Sequence, residues 1–308
     1  MWTRGRFVNE YIPGLFTLAV DTYLETQKAH MWPDLVTRRE SQKKKEEDAI
    51  RSGLGMPIEQ PEGNTVGYDT QIAGAKQTWI HKVYALGVRL SEVSIEDNLY
   101  ELKGGGNAEG LQDIFTDLGA SMAENIEVML ARFFNSATAT TYHTTRDGVA
   151  LASASHKRLD GVTYSNKATA ADLTYLTFWA NLITAENQYN HRGYKIKKKV
   201  KNLWIPPQLE RYAREIIQSP DRPDSGNRAI SAYAKSGRQI NIKAWPYMTD
   251  TDMWVLQTTG RGIIHFDRRK TRFAREKDFG TGDLMCKADQ RFSDEVADER
   301  DFYFNVPA

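Results

Sequence analysis

Cysteine is almost absent from this chain: among 308 residues there is one, Cys286. That excludes an intrachain disulfide and any zinc site built on several cysteines, and it fits folding in a reducing cytoplasm. Leu284, Cys286 and Ala288 alternate with Met285, Lys287 and Asp289, which is the pattern of a half-buried strand, so Cys286 is expected to pack and not to react. Excess charge is also missing. Forty-one Lys and Arg stand against 40 Asp and Glu, a formal net charge of +1, which argues against a dedicated nucleic-acid binder and leaves only local contacts open. No window approaches the roughly 18 apolar residues of a membrane span. Residues 1–20 carry Arg4, Arg6, Glu10 and Pro13 in place of a secretory signal. A soluble, unexported protein without a membrane partner is expected.

Catalytic signatures are equally scarce. Gly104, Gly105 and Gly106 lack the Gly-Lys-Ser/Thr of a phosphate loop and read as a linker. Six histidines (His30, His81, His143, His156, His191 and His265) are scattered without metal-helix spacing, so no metal and no cofactor is expected. Ser153, Ser155 and His156 invite a hydrolase reading, but no G-x-S-x-G elbow surrounds them, and a hydrogen-bonded turn is the better expectation.

What the chain does have is aromatic side chains and turn formers. Seven Trp, 14 Tyr and 12 Phe often lie outside a clear period, which points to surfaces covered by a partner. The charged run Arg38–Asp48 reads as an arm or a long surface helix. Gly53–Gly74 is dense in Gly, Pro and Asn, and Thr78–Leu90 is strand-like, so a long projecting hairpin is predicted. A two-stranded ribbon is marginal alone and needs a neighbour to lie on.

From Glu109 to Ser136, Phe115, Leu118, Met122, Ile126, Leu130 and Phe133 recur every three or four residues. They predict a helix of roughly 40 Å that buries one face and leaves Asp113, Asp117, Glu124 and Glu127 outward. A second helix is expected over 171–189, then a strand ending at Ile205 and a helix opened by Pro206 and Pro207. The lysines of Lys195–Lys201 read as a solvated strand edge. Strands follow at 239–245, 253–257, 263–266, around Phe273 and at 284–292; the last, 296–304, brings Phe302 and Phe304 to one face with charged residues opposite. The class is α+β without βαβ alternation, which disfavours a doubly wound nucleotide fold.

The order of these pieces carries a family resemblance. Gly148-Val-Ala-Leu151 runs to His156, followed by Asp160-Gly161 with Tyr164-Ser-Asn166, and the helix from Asp172-Leu173 ends at Asn190-x-x-Gly193. Leu203-Trp-Ile-Pro-Pro207, Trp245-x-Tyr247-x-Thr-Asp250, Asp252-x-Trp254, Phe279-x-Thr-Gly282 and Arg291-Phe-Ser293 complete the series. Together they resemble the major capsid proteins of tailed bacteriophages, the Hong Kong 97-like fold, and most of all the Mu-like major head subunit group. The chain departs from that group at Ala152, where an aromatic is frequent, and at Lys157, where proline is.

The resemblance implies an N-terminal arm over 1–48, an extended hairpin loop over 49–88, and a peripheral domain over 89–160 with its spine helix at 109–136. An axial domain over 161–280 and a returning peripheral segment over 281–308 follow. It further implies a non-enzymatic major capsid protein, self-assembling through pentamers and hexamers into an icosahedral shell around double-stranded DNA, with assembly in the host cytoplasm and a place in the virion. An encapsulin-like nanocompartment shell is the alternative. A separate scaffold protein, a portal protein and a decoration protein are the implied partners. Phe16, Lys76, Trp79 and Tyr84 are the expected interface residues, and Arg268, Arg269, Lys270 and Arg272 the expected inner-surface DNA contacts. Some relatives crosslink a hairpin lysine; Lys76 has no matching asparagine or glutamate here, so no crosslink is expected.

Overall fold

Two four-stranded sheets, each with helices on it, share one aromatic core. The structure, a computed structural model, describes residues 12–93, 109–221 and 230–307. The linker reading of Gly104–Gly106 and the loop around Pro223 fall outside these residues.

Helix α1 (Ile12–Ala29) and the short α2 (Trp32–Leu35) lead into β1 (Val36–Glu40). Strands β2 (Lys45–Arg51) and β3 (Ala73–Ile80) form an antiparallel hairpin, and β4 (Lys82–Leu90) follows directly. The first sheet has the order β1-β10-β11-β4, with β10 (Ile263–Lys277) and β11 (Leu284–Val296) antiparallel at its centre and β1 parallel to β10. Helix α3 (Glu109–Asn135) buries Phe115, Leu118, Met122, Ile126 and Leu130, its expected stripe, with Cys286 of β11 beside Phe115 and Ala288 beside Leu118 and Met122.

The second sheet, β12-β9-β7-β8, contains β7 (Val200–Ile205), β8 (Asn241–Ala244), β9 (Trp254–Thr258) and β12 (Phe302–Asn305). Helices α4 (Tyr175–Glu186) and α5 (Glu210–Gln218) pack on it, and the four-residue α6 (Ala232–Lys235) closes the end. Alternation along β12 sends Phe302 and Phe304 into the core shared with α3, and Tyr303 into the core under α4. Phe134 of α3 meets Trp204, Trp245, Phe302 and Phe304, with ring centroids 5.6–6.2 Å apart, so the two sheets are joined by aromatic packing.

Several expectations are corrected. Arg38–Asp48 is not a surface helix: it contributes β1 and β2, whose charges are matched across strands, Arg38 to Asp267 and Glu47 to Lys76, with Lys45 joining Glu47 from within β2. Thr78–Leu90 is not one hairpin arm, because it divides at His81 between β3, in the hairpin, and β4, in the first sheet. His81 fixes that corner between Ser41 Oγ (3.2 Å) and Ser293 Oγ (2.9 Å). The separate strands at 263–266 and Phe273 are one strand, β10, bulged between Asp267 and Arg272. Opposite Phe302 and Phe304 stands the buried Tyr303, not charge. In the strand pairing, β10 belongs to the first sheet and β12 to the second.

Two polar residues expected outside are inside. Glu127 is 1% exposed and accepts hydrogen bonds from the backbone N–H groups of Met31 and Trp32 and from the Trp245 indole. Lys198 leaves its lysine-rich neighbours and is buried in ion pairs with Asp298 and Asp301. A buried charge without such partners would cost several kcal/mol (~3 or more), so each is fixed by its partners.

Candidate assembly surfaces

Between β2 and β3 runs a 20-residue excursion, 53–72, with no helix or strand of its own. Its base is closed by the Ser52 N–H donating to the Ile72 carbonyl and the Ile72 N–H donating to Ser52 Oγ. Beyond it, Leu54, Met56, Ile58, Val66 and Tyr68 are exposed, Ile58 to 81% and Tyr68 to 97%. Apolar side chains displayed to this degree mark a surface that another molecule covers.

The excursion is held at its root by the turn Asn190–Tyr194. Gly193 has φ +82°, a left-handed conformation that lets the chain reverse there. Arg192 reaches back from this turn to Ser52 Oγ (3.3 Å), to Asp69 Oδ1 (3.1 Å) and to the Thr70 carbonyl, while the Met56 N–H donates to the Tyr194 hydroxyl (3.4 Å). A second tie joins β2 to the first sheet: Arg146 spans Asp48 (2.9 Å) and Glu295 (3.2 Å). Burial pushes the Glu295 carboxyl up to about 8, with Arg146 opposing. Neither Arg192 nor Arg146 stood out in the sequence. The Asn190-x-x-Gly193 motif was the only signal for the first, and it read only as a helix stop.

The expected interface residues are already engaged within the chain. Phe16 is half-buried against Phe115, centroids 5.6 Å apart. Trp79 is buried, with the Arg146 guanidinium 5.8 Å from its ring centre, and Tyr84 stacks on Phe292 at 4.6 Å. Lys76 is exposed and paired with Glu47. The structure therefore does not bring these four together. Several apolar residues that are open lie in the tip of the excursion, a segment whose turn chemistry had drawn attention away from its side chains.

The basic cluster is partly neutralised in place. Arg269 and Arg272 converge on Asp289, Lys270 pairs with Glu40 at 3.0 Å, and Arg268 donates to the Lys43 carbonyl.

Nothing in the serine and histidine turn is set for nucleophilic attack. The His156 ring is buried, with Nδ1 on Asp147 (2.8 Å) and Nε2 on the Leu151 carbonyl (3.3 Å), so both nitrogens are occupied. Ser153 and Ser155 bond one another. Burial raises the Cys286 thiol to about 11, away from thiolate chemistry at neutral pH. Among the described residues no group of three His, Cys, Asp or Glu is placed to hold a metal, and no helix is long and apolar enough to cross a membrane.

Comparison with known proteins gives two findings. The family model described as phage capsid protein matches residues 82–288. Solved structures of similar shape include the capsid of a native GTA particle (10% identity, 92% of this chain and 90% of that chain, TM-score 0.53). They also include a virus-like particle from Pyrococcus furiosus (11% identity, 96% and 99%, TM-score 0.50) and the capsid of Myoviridae phage XM1 (10% identity, 89% and 89%, TM-score 0.50). At these identities the likeness is one of fold. No curated protein matches the chain.

Proposed function

The chain belongs to the phage capsid protein family as a major capsid protein of Hong Kong 97-like fold, and from that premise we propose that it assembles through pentamers and hexamers into a closed icosahedral shell around double-stranded DNA. The observation that carries this reading is the excursion at 53–72, which a single copy leaves uncovered while its root is fixed by Arg192. A subunit that commits an ordered root and an apolar tip to the outside gains its remaining burial from a neighbour. Many such modest contacts become cooperative when the shell closes.

The protein acts as a structural component and not as a catalyst. The engaged ring of His156 and the protonated Cys286 support this. The Mu-like order of its motifs places it nearest that head subunit group. Contact with packaged DNA is non-specific, in keeping with a net charge of +1. A separate scaffold, a portal and a decoration protein are its partners, and the virion capsid its location.

Replacing residues 54–71 by a two-residue Asn-Gly turn tests the reading. The bond between Ser52 and Ile72 already closes the base, so the shortened chain is expected to fold with an unchanged circular dichroism spectrum yet to form no shells by negative-stain electron microscopy. Normal shells from this variant would defeat the reading. Parent shells that enclose a protein in place of DNA would favour the nanocompartment alternative.

A further inference from the structure

We propose that the cavity between the root of the hairpin and the segment 297–300 is a binding site for a compact polyanion of the phosphate class, such as pyrophosphate, held by Arg51, Arg146, His191 and Arg261. The inference goes beyond the shell reading and does not depend on it.

The cavity, about 640 Å³, is walled by residues 48–51 of β2, by Arg146, by His191 of the turn 190–194, and by the body of the subunit through Lys198, Gly260, Arg261 and residues 297–300. Two polar groups buried in that wall have nothing to bond. The His191 ring is 6% exposed, and its Nδ1 has no hydrogen-bond partner among the described residues. The Arg146 side chain is also 6% exposed, and its Nε is unpartnered in the same way. A buried polar group left unsatisfied is costly, and folded chains rarely keep one without a reason. Both side chains line the same cavity, so a single guest rich in acceptor oxygens can satisfy both.

Charge gives the sign of the guest. The acids of the wall are already engaged: Asp48 with Arg146, Asp298 with Lys198 and Arg300, and Glu299 with the Tyr164 hydroxyl. Arg51 and Arg261 are exposed, and neither has an ion pair within the described residues. Glu295, which also meets Arg146, is pushed up to about 8 by burial and is mostly protonated near neutral pH, so Asp48 is the carboxylate that answers the buried guanidinium. Burial and the neighbouring Arg300 push the His191 imidazole down to about 4, and the ring meets a guest as a neutral donor.

The wall also sets the class of ligand. Among the described residues it holds no Phe, Tyr or Trp on which a base could stack, whereas pockets for organic ligands are ordinarily apolar and aromatic. Arginine forks match the oxygens of a phosphate two at a time. A guest that bridges Arg51 to Arg261 braces β2 against the body of the subunit.

Equilibrium dialysis of the full-length protein against radiolabelled pyrophosphate, in magnesium-free buffer at fixed ionic strength, tests the site, whether the chain is dispersed or assembled. Saturable binding of one pyrophosphate per chain is expected, half-saturated below about 1 mM. Arg51→Ala and Arg261→Ala are each expected to weaken it about tenfold, the loss of one charge-assisted hydrogen bond. Both positions are exposed, so the melting temperature without ligand should stay within about 2 °C of the parent. Arg211→Ala, exposed on α5, is expected to bind like the parent. Hydrogen exchange in 48–51 and 260–261 should slow at saturation. No saturable binding, equal affinity in the parent and both cavity variants, or unchanged exchange in these two segments would overturn the proposal. Tighter binding of AMP than of pyrophosphate would overturn the class of ligand. Displacement of pyrophosphate by a short DNA duplex at equal phosphate concentration would overturn it too, and assign the cavity to packaged DNA.

Discussion

The Glu127 carboxylate accepts the indole N–H of Trp245, tying the middle of α3 to the turn that follows β8. The same carboxylate accepts the Trp32 backbone N–H at 3.2 Å and that of Met31 at 3.3 Å, so two separate parts of the chain depend on one side chain of α3. Glu127→Leu keeps the volume and orphans two buried donors and one half-buried one, and a buried unsatisfied donor costs about 1–3 kcal/mol. The expected loss is roughly 3–5 kcal/mol in urea unfolding, with Glu127→Gln losing less because one amide oxygen still accepts. Equal stability of the leucine variant and the parent would show that these bonds contribute nothing net.

His265 predicts how the fold responds to alkali. It is buried between Asp294 (Nδ1 to Oδ1, 2.6 Å) and Asp267 (Nε2 to Oδ1, 3.0 Å), beside the rings of Trp32 and Phe292. Burial alone would depress the imidazolium, but the charge of Asp294 and the hydrogen bonds the ring donates to both carboxylates outweigh it and raise the ring to about 9. The folded state thus holds its proton more tightly than the unfolded chain, whose histidine titrates near 6.5. The resulting stability is complete below about pH 6.5 and is lost as the pH rises through 9, a change of order 3 kcal/mol. The urea midpoint of the parent should fall across this window, and that of His265→Gln should stay flatter. Parallel curves for the two proteins would rule out a charged His265.

Gly119 sets the distance between α1 and α3. A Cβ built there would lie 2.3 Å from the Ala19 carbonyl oxygen, a backbone atom that cannot move aside without shifting the helix. Alanine favours an isolated helix by about 1 kcal/mol over glycine, yet Gly119→Ala is expected to destabilise, because overpacking of a fixed contact costs about 1–3 kcal/mol. Hydrogen exchange should quicken in 14–29 and remain unchanged in β7 and β9. A stabilised variant would mean that the two helices separate freely.

The α3 stripe, the Pro206-Pro207 helix start and the strand from Leu284 were legible because each is a local periodicity or a local stop, whereas 296–304 is broken by a turn at Glu299–Asp301 before β12. Glu127 was not. Its place between Ile126 and Leu130 fits an outward position as well as an inward one until Trp32 and Trp245 supply donors from elsewhere in the chain. The run Arg38–Asp48 misled for a related reason: its charges are paired across strands, Glu47 with Lys76 and Arg38 with Asp267, and that matching is invisible before the strands are aligned. At the assembly surface, turn formers disclosed the hairpin. Within one copy Trp79 and Tyr84 pack against Arg146 and Phe292.

Arg192 separates assembly from folding. It is one side chain on the Asn190–Tyr194 turn, it holds Ser52, Asp69 and Thr70 together, and the two cores of the subunit are built without it. Exposed or half-exposed ion pairs contribute little to global stability, about 0–1 kcal/mol, so Arg192→Ala should move the melting temperature by no more than about 3 °C. The root of the excursion, however, loses its anchors, and hydrogen exchange in residues 52–72 should rise severalfold, with no change in α3. A tip that leaves its root in many directions pays an ordering cost at each contact with a neighbour, and that cost multiplies over a shell. Shell yield should therefore fall sharply in a protein that is otherwise folded, and Arg192→Lys, which keeps the charge without the planar fork, should restore it only in part. Wild-type yield from Arg192→Ala, with exchange in 52–72 raised as expected, would show that the tip finds its neighbour without a fixed root.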